Sequence, residues 1–262
     1  MERLRPGRLD GEVCVVTGST SGLGKEIARV VAAEGASVLV TGRNADRGRA
    51  VVDGIAADGG RAAFLAADLA DEGQRRALVE GAEAAFGPVT ILINNAVASG
   101  LAQDGPVTEV SAEAWEAILA VDLVAVGALC RLVIPLMQRA GHGSIVNISS
   151  RAASLGTPGL AVYTAAKGGL NALTRSISAD YARHGIRCNT VQAGYILHEQ
   201  RDAGASAERL ERVRGMHLTR LATATDIAHA VVFLASTESE VITGVTLPVD
   251  GGSTAVRGLT LG

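Results

Sequence analysis

The chain has 262 residues, of which 48% are hydrophobic and 19% are charged, and its formal net charge is −3. This length suits one domain or two, and the apolar content excludes a disordered chain. The nearly balanced charge gives no reason to expect nucleic acid as a partner, because such binding relies on clustered positive charge. Residues 1–10, which include Arg3, Arg5 and Arg8, are expected to form a tail.

Three cysteines, Cys14, Cys130 and Cys188, lie far apart in apolar segments. Because no cysteine pair or cysteine–histidine cluster has metal-ligand spacing, we expect no metal and predict buried thiols in a reducing compartment. Residues 1–12 lack an apolar signal-peptide core. The apolar stretch 117–137 is interrupted by Asp122 and Arg131. We therefore expect a cytoplasmic protein without a membrane span.

Short apolar segments alternate with segments of helical periodicity. Most of the short segments are rich in Val, Ile or Leu, as in the strands of a buried parallel sheet. They are residues 13–17, 37–40, 62–66, 90–94, 144–149, 187–191 and 245–249. Between the first two, Leu23, Ile27, Val30 and Val31 mark one face of a helix. This alternation predicts a single α/β domain over residues 1–262, with a Rossmann-type, doubly wound parallel sheet of about seven strands and helices on both faces.

Residues 193–224 interrupt this alternation, because no strand is predicted within them. Residues 206–214 have the composition of a short, charged helix. Long segments of this kind are commonly functional, so we predict a lid over the substrate, with a mobile surface segment as the alternative.

The first predicted strand leads into a glycine-rich segment and then directly into a helix. The segment reads Thr17-Gly18-Ser19-Thr20-Ser21-Gly22-Leu23-Gly24. Glycines let a backbone turn tightly and approach a phosphate, while a helix N-terminus offers free N–H groups and a positive dipole. We predict that this segment binds the phosphates of a dinucleotide; an ordinary glycine-rich turn is the alternative.

The second predicted strand ends without an acidic residue, and Arg43 and Asn44 follow it. In dinucleotide-binding folds an acidic residue here holds the ribose hydroxyl of NAD, whereas an arginine accommodates the phosphate of NADP. A guanidinium can bind that phosphate in a forked geometry and stack on adenine. We therefore predict a preference for NADP(H), with NAD(H) possible. Arg43 could instead be a solvated loop residue, like Arg47 and Arg49 nearby.

Tyr163 and Lys167 are four residues apart in a predicted helix, so their side chains share one face. A tyrosine is a poor acid–base catalyst near neutral pH unless something stabilises its phenolate, and a neighbouring ammonium does so. Ser150 directly follows an apolar strand, at the sheet edge where open α/β folds bind ligands. Its hydroxyl can donate to a substrate oxygen. The three residues predict a catalytic set, although Tyr-x-x-x-Lys alone is commonly a surface pair.

With these motifs, the chain resembles the short-chain dehydrogenases/reductases of the compact single-domain type, and among them the 3-oxoacyl-acyl-carrier-protein reductases. The resemblance rests on the glycine segment, Asp68-Leu69, Asn94-Asn95-Ala96, residues 145–150, Tyr163-x-x-x-Lys167 and residues 249–252.

The resemblance implies roles for these residues. Tyr163 would be the general acid in carbonyl reduction and the base in reverse, Ser150 would orient the carbonyl, and Lys167 would hold the nicotinamide ribose. Asp68 would bind the adenine amino group, unless it only caps the helix predicted over 71–86. The implied cofactor-binding set is Gly18, Thr20, Ser21, Gly22, Leu23, Gly24, Arg43, Asn44, Asp68, Leu69, Asn95, Ala96, Tyr163, Lys167, Gly194, Ile196 and His198.

Four positions depart from the family pattern. Val97 stands where a glycine is usual, and Ala193 replaces a proline at the root of the predicted lid. His198 replaces a threonine expected to contact the cofactor carboxamide. Asp122 replaces the asparagine that helps hold a water connecting the catalytic lysine to solvent; its carboxylate can accept hydrogen bonds but has no amide N–H to donate. We include Asp122 in the predicted catalytic set and expect an active enzyme with an altered pocket.

The predicted function is NADPH-dependent reduction of a small or acyl-chain ketone. The alternatives are an alcohol, polyol or steroid dehydrogenase working toward oxidation, and a catalytically weak NADP(H)-binding sensor or scaffold. By resemblance, a homodimer or homotetramer is expected, formed through the helix within 111–137 and the one starting near Val162. Apolar residues of the first helix could face a partner or belong to the core: Ala117, Ile118, Leu129, Leu132 and Val133.

Overall fold

All seven predicted strands are present in the computed structural model, which describes residues 7–197 and 204–255. They are β1 (Val13–Val16), β2 (Ser37–Gly42), β3 (Arg61–Ala66), β4 (Ile91–Asn94), β5 (Gly143–Ser150), β6 (Ile186–Ala193) and β7 (Thr246–Val249). Every pairing is parallel, in the order β3-β2-β1-β4-β5-β6-β7. The strand order reverses between β1 and β4, which opens the crevice where such sheets bind ligands. The predicted fold class is confirmed.

Helices cover both faces of the sheet. They are α1 (Gly22–Ala33), α2 (Ala45–Ala57), α3 (Glu72–Phe86), α4 (Ala112–Leu119), α5 (Ala125–Ala140), α6 (Ala161–Tyr181), α7 (Ala207–Gly215) and α8 (Ala224–Ala235). Successive β1 residues point to opposite faces, so Cys14 and Val16 pack with α1 and α8, whereas Val13 and Val15 pack with α3 and α5. The strands are apolar on both sides for this reason.

A π-helical turn, Ala120–Val124, joins α4 to α5. The resulting helix, Ala112–Ala140, is long and apolar enough to cross a membrane by length and composition alone. A core helix passes the same test, and α5 packs its apolar face against the sheet. The three predicted interface residues Ile118, Leu129 and Val133 are completely buried in the core, so they cannot face a partner. Ala117 and Leu132 keep exposed or partly exposed surface.

A row of buried polar side chains crosses the sheet beneath the crevice. Asn94, Asn147 and Thr190 are aligned across β4, β5 and β6. Asn94 Nδ2 donates to Asn147 Oδ1 (2.8 Å), and Asn147 Nδ2 donates to Thr174 Oγ1 of α6 (2.9 Å). Thr174 Oγ1 also lies 2.9 Å from Thr190 Oγ1. These bonds fix α6 on the sheet about two turns beyond Lys167.

All three cysteines are free and buried, as predicted. Burial raises the pKa of the Cys130 thiol to about 12 and also raises the pKa values of Cys14 and Cys188. These thiols therefore stay protonated near neutral pH. Among the described residues, no cluster of three or more His, Cys, Asp or Glu side chains could hold a metal ion.

The helix predicted over residues 206–214 is α7, which begins after Ser206. The Ser206 side chain caps it by accepting the backbone N–H of Arg209 (3.2 Å). An isolated parallel bridge between Ile196 and Ala222 closes the base of this segment. The part of 193–224 with numbers 198–203, which includes His198, lies outside the described residues. The lid function remains a prediction.

Candidate active site

The crevice at the carboxyl ends of the strands is a cleft of about 1650 Å³. Its walls come from the loops that follow β1, β2, β3, β4, β5 and β6. Pockets that bind drug-sized ligands have volumes of roughly 300–1,000 Å³. This cleft is larger and can therefore hold a ligand larger than a typical drug molecule.

Hydrogen bonds lock the glycine segment to the loop after β4. Thr17 Oγ1 accepts the backbone N–H groups of Asn95 (2.9 Å) and Ala96 (3.0 Å). Asn95 Nδ2 in return donates to the carbonyl oxygens of Thr17 (3.0 Å) and Gly18 (3.2 Å). Asn95 therefore shapes the cleft by holding the backbone of the glycine segment, in addition to lining it.

Two glycines keep this wall of the cleft concave. Gly18 has φ +63°, a left-handed conformation, and a side chain there would collide with Ala96. A side chain on Gly24 would collide with the Gly18 carbonyl and the Asn95 amide. The Ser21 side chain does not cap α1, and the first residues of this helix line the cleft. The backbone N–H groups at the helix N-terminus therefore face the cleft without a side-chain cap. This is the arrangement that accepts a phosphate.

Arg43 is exposed and lines the cleft edge after β2, together with Arg47. Asn44 lines it too, and its side chain caps α2 by accepting the Arg47 N–H (2.9 Å). Arg49 instead pairs with Asp46 at 2.5 Å and is not among the residues that line the cleft. The sequence predicts that Arg47 is an ordinary solvated residue, but it lines the cleft together with Arg43 and is a second candidate for a phosphate contact.

The helix-cap alternative for Asp68 is wrong. The cap of α3 is Asp71, whose carboxylate accepts the Gln74 N–H (2.8 Å). Asp68 Oδ1 accepts the Ala70 N–H (3.0 Å) within its own turn, and both Asp68 and Leu69 line the cleft. Asp68 is thus held at the cleft wall, and its contact with adenine stays a prediction.

Ser150, Tyr163 and Lys167 line the same cleft. Ser150 ends β5, and its Oγ accepts the Ala152 N–H (3.2 Å), which leaves the hydroxyl hydrogen available for a ligand. The Lys167 ammonium lies 5.5 Å from the centre of the Tyr163 ring, within cation–π range. Its Nζ donates to the Ile148 carbonyl (3.2 Å). The structure therefore brings the three residues predicted from sequence together.

Asp122 lies behind Lys167, in the π-helical turn. Asp122 Oδ1 accepts the Ala98 N–H (2.6 Å), and Asp122 Oδ2 is 4.0 Å from Lys167 Nζ. Both side chains are buried, with 0% and 3% of their surface exposed. Burial raises the pKa of Asp122 and lowers that of Lys167, while their mutual attraction opposes both shifts. Asp122 does not line the cleft, so it can act only through its neighbours.

Sequence reasoning missed Asp104. Its Oδ1 accepts the Val162 N–H (3.0 Å) and its Oδ2 accepts the Tyr163 N–H (2.9 Å), so it caps the N-terminus of α6 from 58 and 59 residues away. Leu160, the residue at the cap position itself, makes no side-chain bond. No local pattern marks a cap supplied by a distant loop, because capping signals are read within a few residues of the helix start.

The remaining predicted residues lie where β4 and β6 end. Ala96, Gly194 and Ile196 line the cleft, as do Tyr195 and Leu197. A side chain on Gly194 would collide with the Asp250 backbone, so this loop packs directly against the chain after β7. Val97, the first departure from the family pattern, is 45% exposed and also lines the cleft.

The doubly wound sheet and the glycine-lined cleft define a dinucleotide-binding α/β protein. A family model described as "Enoyl-(Acyl carrier protein) reductase" matches residues 18–254. The chain belongs to the short-chain dehydrogenase/reductase family and is therefore an oxidoreductase.

Relatives match over nearly their whole length. The chain is 39% identical to the NADP-dependent (R)-specific alcohol dehydrogenase of Lentilactobacillus kefiri, covering 95% of this chain and 98% of that protein. It is 35% identical to the 3-oxoacyl-[acyl-carrier-protein] reductase FabG of Escherichia coli, with coverage of 93% and 97%. A crystal structure of a gluconate 5-dehydrogenase from Burkholderia cenocepacia, in complex with NADP and tartrate, superposes with a TM-score of 0.88 at 32% identity, covering 95% and 98% of the two chains.

Proposed function

We propose that this protein is an NADPH-dependent carbonyl reductase that acts on a ketone, with Tyr163 as the general acid. The observation that carries the proposal is the meeting of Ser150, Tyr163 and Lys167 in one cleft, with the ammonium 5.5 Å from the phenol ring. The reaction class also fits the relatives, which are named as dehydrogenases and reductases.

The residues of the cleft fit a nicotinamide dinucleotide. The concave glycine wall and the open N-terminus of α1 would hold its phosphates, and Asp68 would contact the adenine. Lys167 would hold the nicotinamide ribose. When bound, this cofactor supplies the hydride that reduces the carbonyl carbon.

A preference for NADPH follows from the cleft edge after β2. Arg43 and Arg47 line it, and the only carboxylate among the described lining residues is Asp68. Two guanidinium groups without an acidic residue at the end of β2 suit a ribose phosphate and give NADH no matching partner. The NADP named for the alcohol dehydrogenase relative and for the gluconate 5-dehydrogenase structure agrees with this assignment.

The protein's own groups supply the proton. In reduction, Tyr163 gives its hydroxyl proton to the substrate oxygen as the carbonyl becomes an alcohol. The Lys167 ammonium stabilises the phenolate that remains, and the Ser150 hydroxyl donates to the same oxygen and orients it. In the reverse direction, Tyr163 takes the proton from the alcohol, so these residues also serve an alcohol, polyol or steroid dehydrogenase.

Asp122 is proposed as a positioning residue in this set. Its carboxylate is anchored by the Ala98 N–H and faces the ammonium of Lys167. It therefore favours the charged form of Lys167, which burial alone would disfavour.

We further propose a cytoplasmic homodimer or homotetramer. Size-exclusion chromatography with light scattering gives its mass directly, and a purely monomeric profile would reject the oligomer.

The test is a titration with NADPH and NADH followed by protein fluorescence, and then assays with a panel of ketones and alcohols at 340 nm. Tight NADPH binding with loss of absorbance on a ketone supports the reductase. Turnover only of alcohols assigns the oxidative direction. Tight binding without turnover in either direction would reject the proposal and favour a cofactor sensor or scaffold.

A further inference from the structure

The charged residues that line the cleft are unequally distributed. Among the described lining residues, five are cationic and one is a carboxylate: Arg43, Arg47, Arg151, Lys167, Arg209 and Asp68. Arg43 and Asp68 lie in the loops after β2 and β3, and Arg47 lies in the first turn of α2, where the cofactor's adenosine end is assigned. Lys167 faces the buried carboxylate of Asp122. Arg151 and Arg209 remain, and the proposed cofactor contacts use neither.

Arg151 stands directly beside the catalytic serine. It opens the 3₁₀ turn Arg151–Ala153 that follows Ser150, and its carbonyl oxygen accepts the N–H groups of Ser154 and Leu155, both at 3.0 Å. The backbone of Arg151 is therefore fixed by its turn, and consecutive Cα atoms are only about 3.8 Å apart. Arg151 and Ser150 both line the cleft, so a single small substrate can reach both the Arg151 side chain and the Ser150 hydroxyl.

The guanidinium of Arg151 has only a weak partner. Its two terminal nitrogens lie 3.8 and 3.7 Å from the Met216 sulfur, and no carboxylate pairs with it in the described parts of the chain. A thioether is a weak hydrogen-bond acceptor, whereas a guanidinium has five N–H donors in a fixed fork that matches a carboxylate. The half-buried guanidinium can therefore bind an incoming anion without first breaking an ion pair to any described residue.

Arg209 also lacks a carboxylate partner among the described residues, unlike the other arginines of α7. Arg212 pairs with Glu208 at 3.0 Å and Arg214 pairs with Glu211 at 2.6 Å. Arg209 has no carboxylate partner among the described residues, and it alone of the three lines the cleft. From α7, the helix that ends just before Met216, a second cation without a carboxylate partner among the described residues thus lines the cleft.

We propose that Arg151 binds a carboxylate of the substrate, with Arg209 adding to the attraction, so that the preferred substrate is an oxo acid or the corresponding hydroxy acid. The inference rests on the proposed function and names the substrate class of the same cleft. A phosphate has similar chemistry, but in an acyl-carrier or coenzyme A substrate it lies at the far end of the pantetheine arm from the carbonyl. The nearness of Arg151 to Ser150 favours an anion only a few bonds from the reacting carbon.

The experiment compares 4-oxopentanoate with its methyl ester, using NADPH and absorbance at 340 nm. We expect kcat/KM for the acid to exceed that for the ester by about tenfold to a hundredfold, the range of a hydrogen bond to a charged group. Arg151→Gln should bring this ratio close to one, and Arg151→Lys should keep part of it, because a lysine retains the charge but not the fork. Because each ratio is measured on one protein preparation, partial misfolding of a variant cancels.

Arg212→Ala is the matched control, because it removes a cation of α7 that pairs with Glu208 and does not line the cleft; it should keep the wild-type ratio. A wild-type ratio near one, or a ratio that survives in Arg151→Gln, would overturn the inference. Acetoacetyl-coenzyme A tests the phosphate source: a loss of its turnover in Arg151→Gln with the acid-to-ester ratio intact would also overturn it.

Absence of turnover on every ketone would reject the proposed function. The anion site would then be tested by ligand binding instead of by activity. Malonate should then raise the melting temperature of the wild-type protein with NADPH, and should not raise that of Arg151→Gln. Equal responses of the two proteins would reject the site.

Discussion

The carboxylate of Asp122 lies 4.0 Å from the ammonium of Lys167, and both groups are buried behind the cleft. A neutral asparagine at this position would leave the ammonium without a negative neighbour among the described residues. The charge of Asp122 therefore acts on Lys167 and, through it, on Tyr163, whose ring lies 5.5 Å from the same ammonium. The π-helical turn gives this carboxylate its position, as such turns often do at functional sites.

Replacing Asp122 with asparagine should shift the pH profile of activity to lower pH. Removing a negative charge lowers the pKa values of neighbouring groups, because it destabilises the protonated lysine and favours the phenolate of Tyr163. The alkaline limb of kcat/KM for reduction and the acidic limb for oxidation should both move down by roughly 0.5–1 unit. The measurement is the pH dependence of kcat/KM in both directions.

Glu116→Gln is the control for this prediction, because it removes an exposed carboxylate from α4, the helix before the turn. Its profile should match that of the wild type. An unshifted profile for Asp122→Asn would mean that Asp122 is already neutral in the active enzyme.

Tyr163→Phe should lower kcat for ketone reduction by about 10²–10⁴-fold, the usual contribution of a general acid, with little change in the Kd for NADPH. The phenyl ring keeps its place on α6, and only the transferable proton is lost. Tyr181→Phe makes the same change at the other end of α6 and should leave kcat unchanged. Retained activity in Tyr163→Phe would reject Tyr163 as the acid.

Arg43→Ala should raise the KM for NADPH by about tenfold or more while changing the KM for NADH little, because a charge-assisted bond to the ribose phosphate is lost. Arg49→Ala removes a guanidinium of α2, the helix that follows Arg43. Because this guanidinium pairs with Asp46, the change should alter neither constant. Equal effects of Arg43→Ala on the two cofactors would show that this residue does not read the phosphate.

Asp104→Ala should lower both stability and kcat. The carboxylate satisfies two N–H groups at the start of α6 and interacts favourably with its dipole, so the free energy of unfolding should fall by about 1 kcal/mol. Because one of those N–H groups belongs to Tyr163, the placement of the acid should also suffer. Chemical denaturation and steady-state kinetics measure the two effects.

Ser111→Ala is the comparison, since Ser111 caps α4 rather than α6, by accepting the Ala114 N–H (3.2 Å). It should cost a similar free energy of unfolding and leave kcat unchanged. If Asp104→Ala keeps the wild-type kcat, Asp104 only stabilises the helix and does not help to place Tyr163.

The strands and the positions of the proposed catalytic residues were predictable because their signals are local. Seven apolar segments became seven strands, with ends that shift by at most two residues. Ser150 was placed by the strand before it, and Tyr163 with Lys167 by helical spacing. Apolar periodicity cannot tell a core residue from an interface residue, which is why the completely buried Leu129 and Val133 were open to both interpretations.

The features that sequence missed depend on contacts between distant segments. Asp104 caps a helix that starts nearly sixty residues later, and Arg151 contacts Met216, which directly follows α7 and is 65 residues away in sequence. The π-helical turn at Asp122 has no signature in residue propensities. Asp68 is a plausible cap of the helix predicted over 71–86, and only the hydrogen-bond geometry shows that Asp71 takes this role.

The polar row of Asn94, Asn147 and Thr190 fixes the register of the central strands, which the apolar residues of these strands do not fix. A shift of β5 by two residues would keep the same side chains on each face, so the hydrophobic pattern alone cannot oppose it. Such a shift would separate Asn147 from its partners and leave buried amide groups unsatisfied, at a cost of about 1–3 kcal/mol for each group. The row therefore selects one register of β4, β5 and β6, and with it the position of Ser150 at the end of β5 in the cleft.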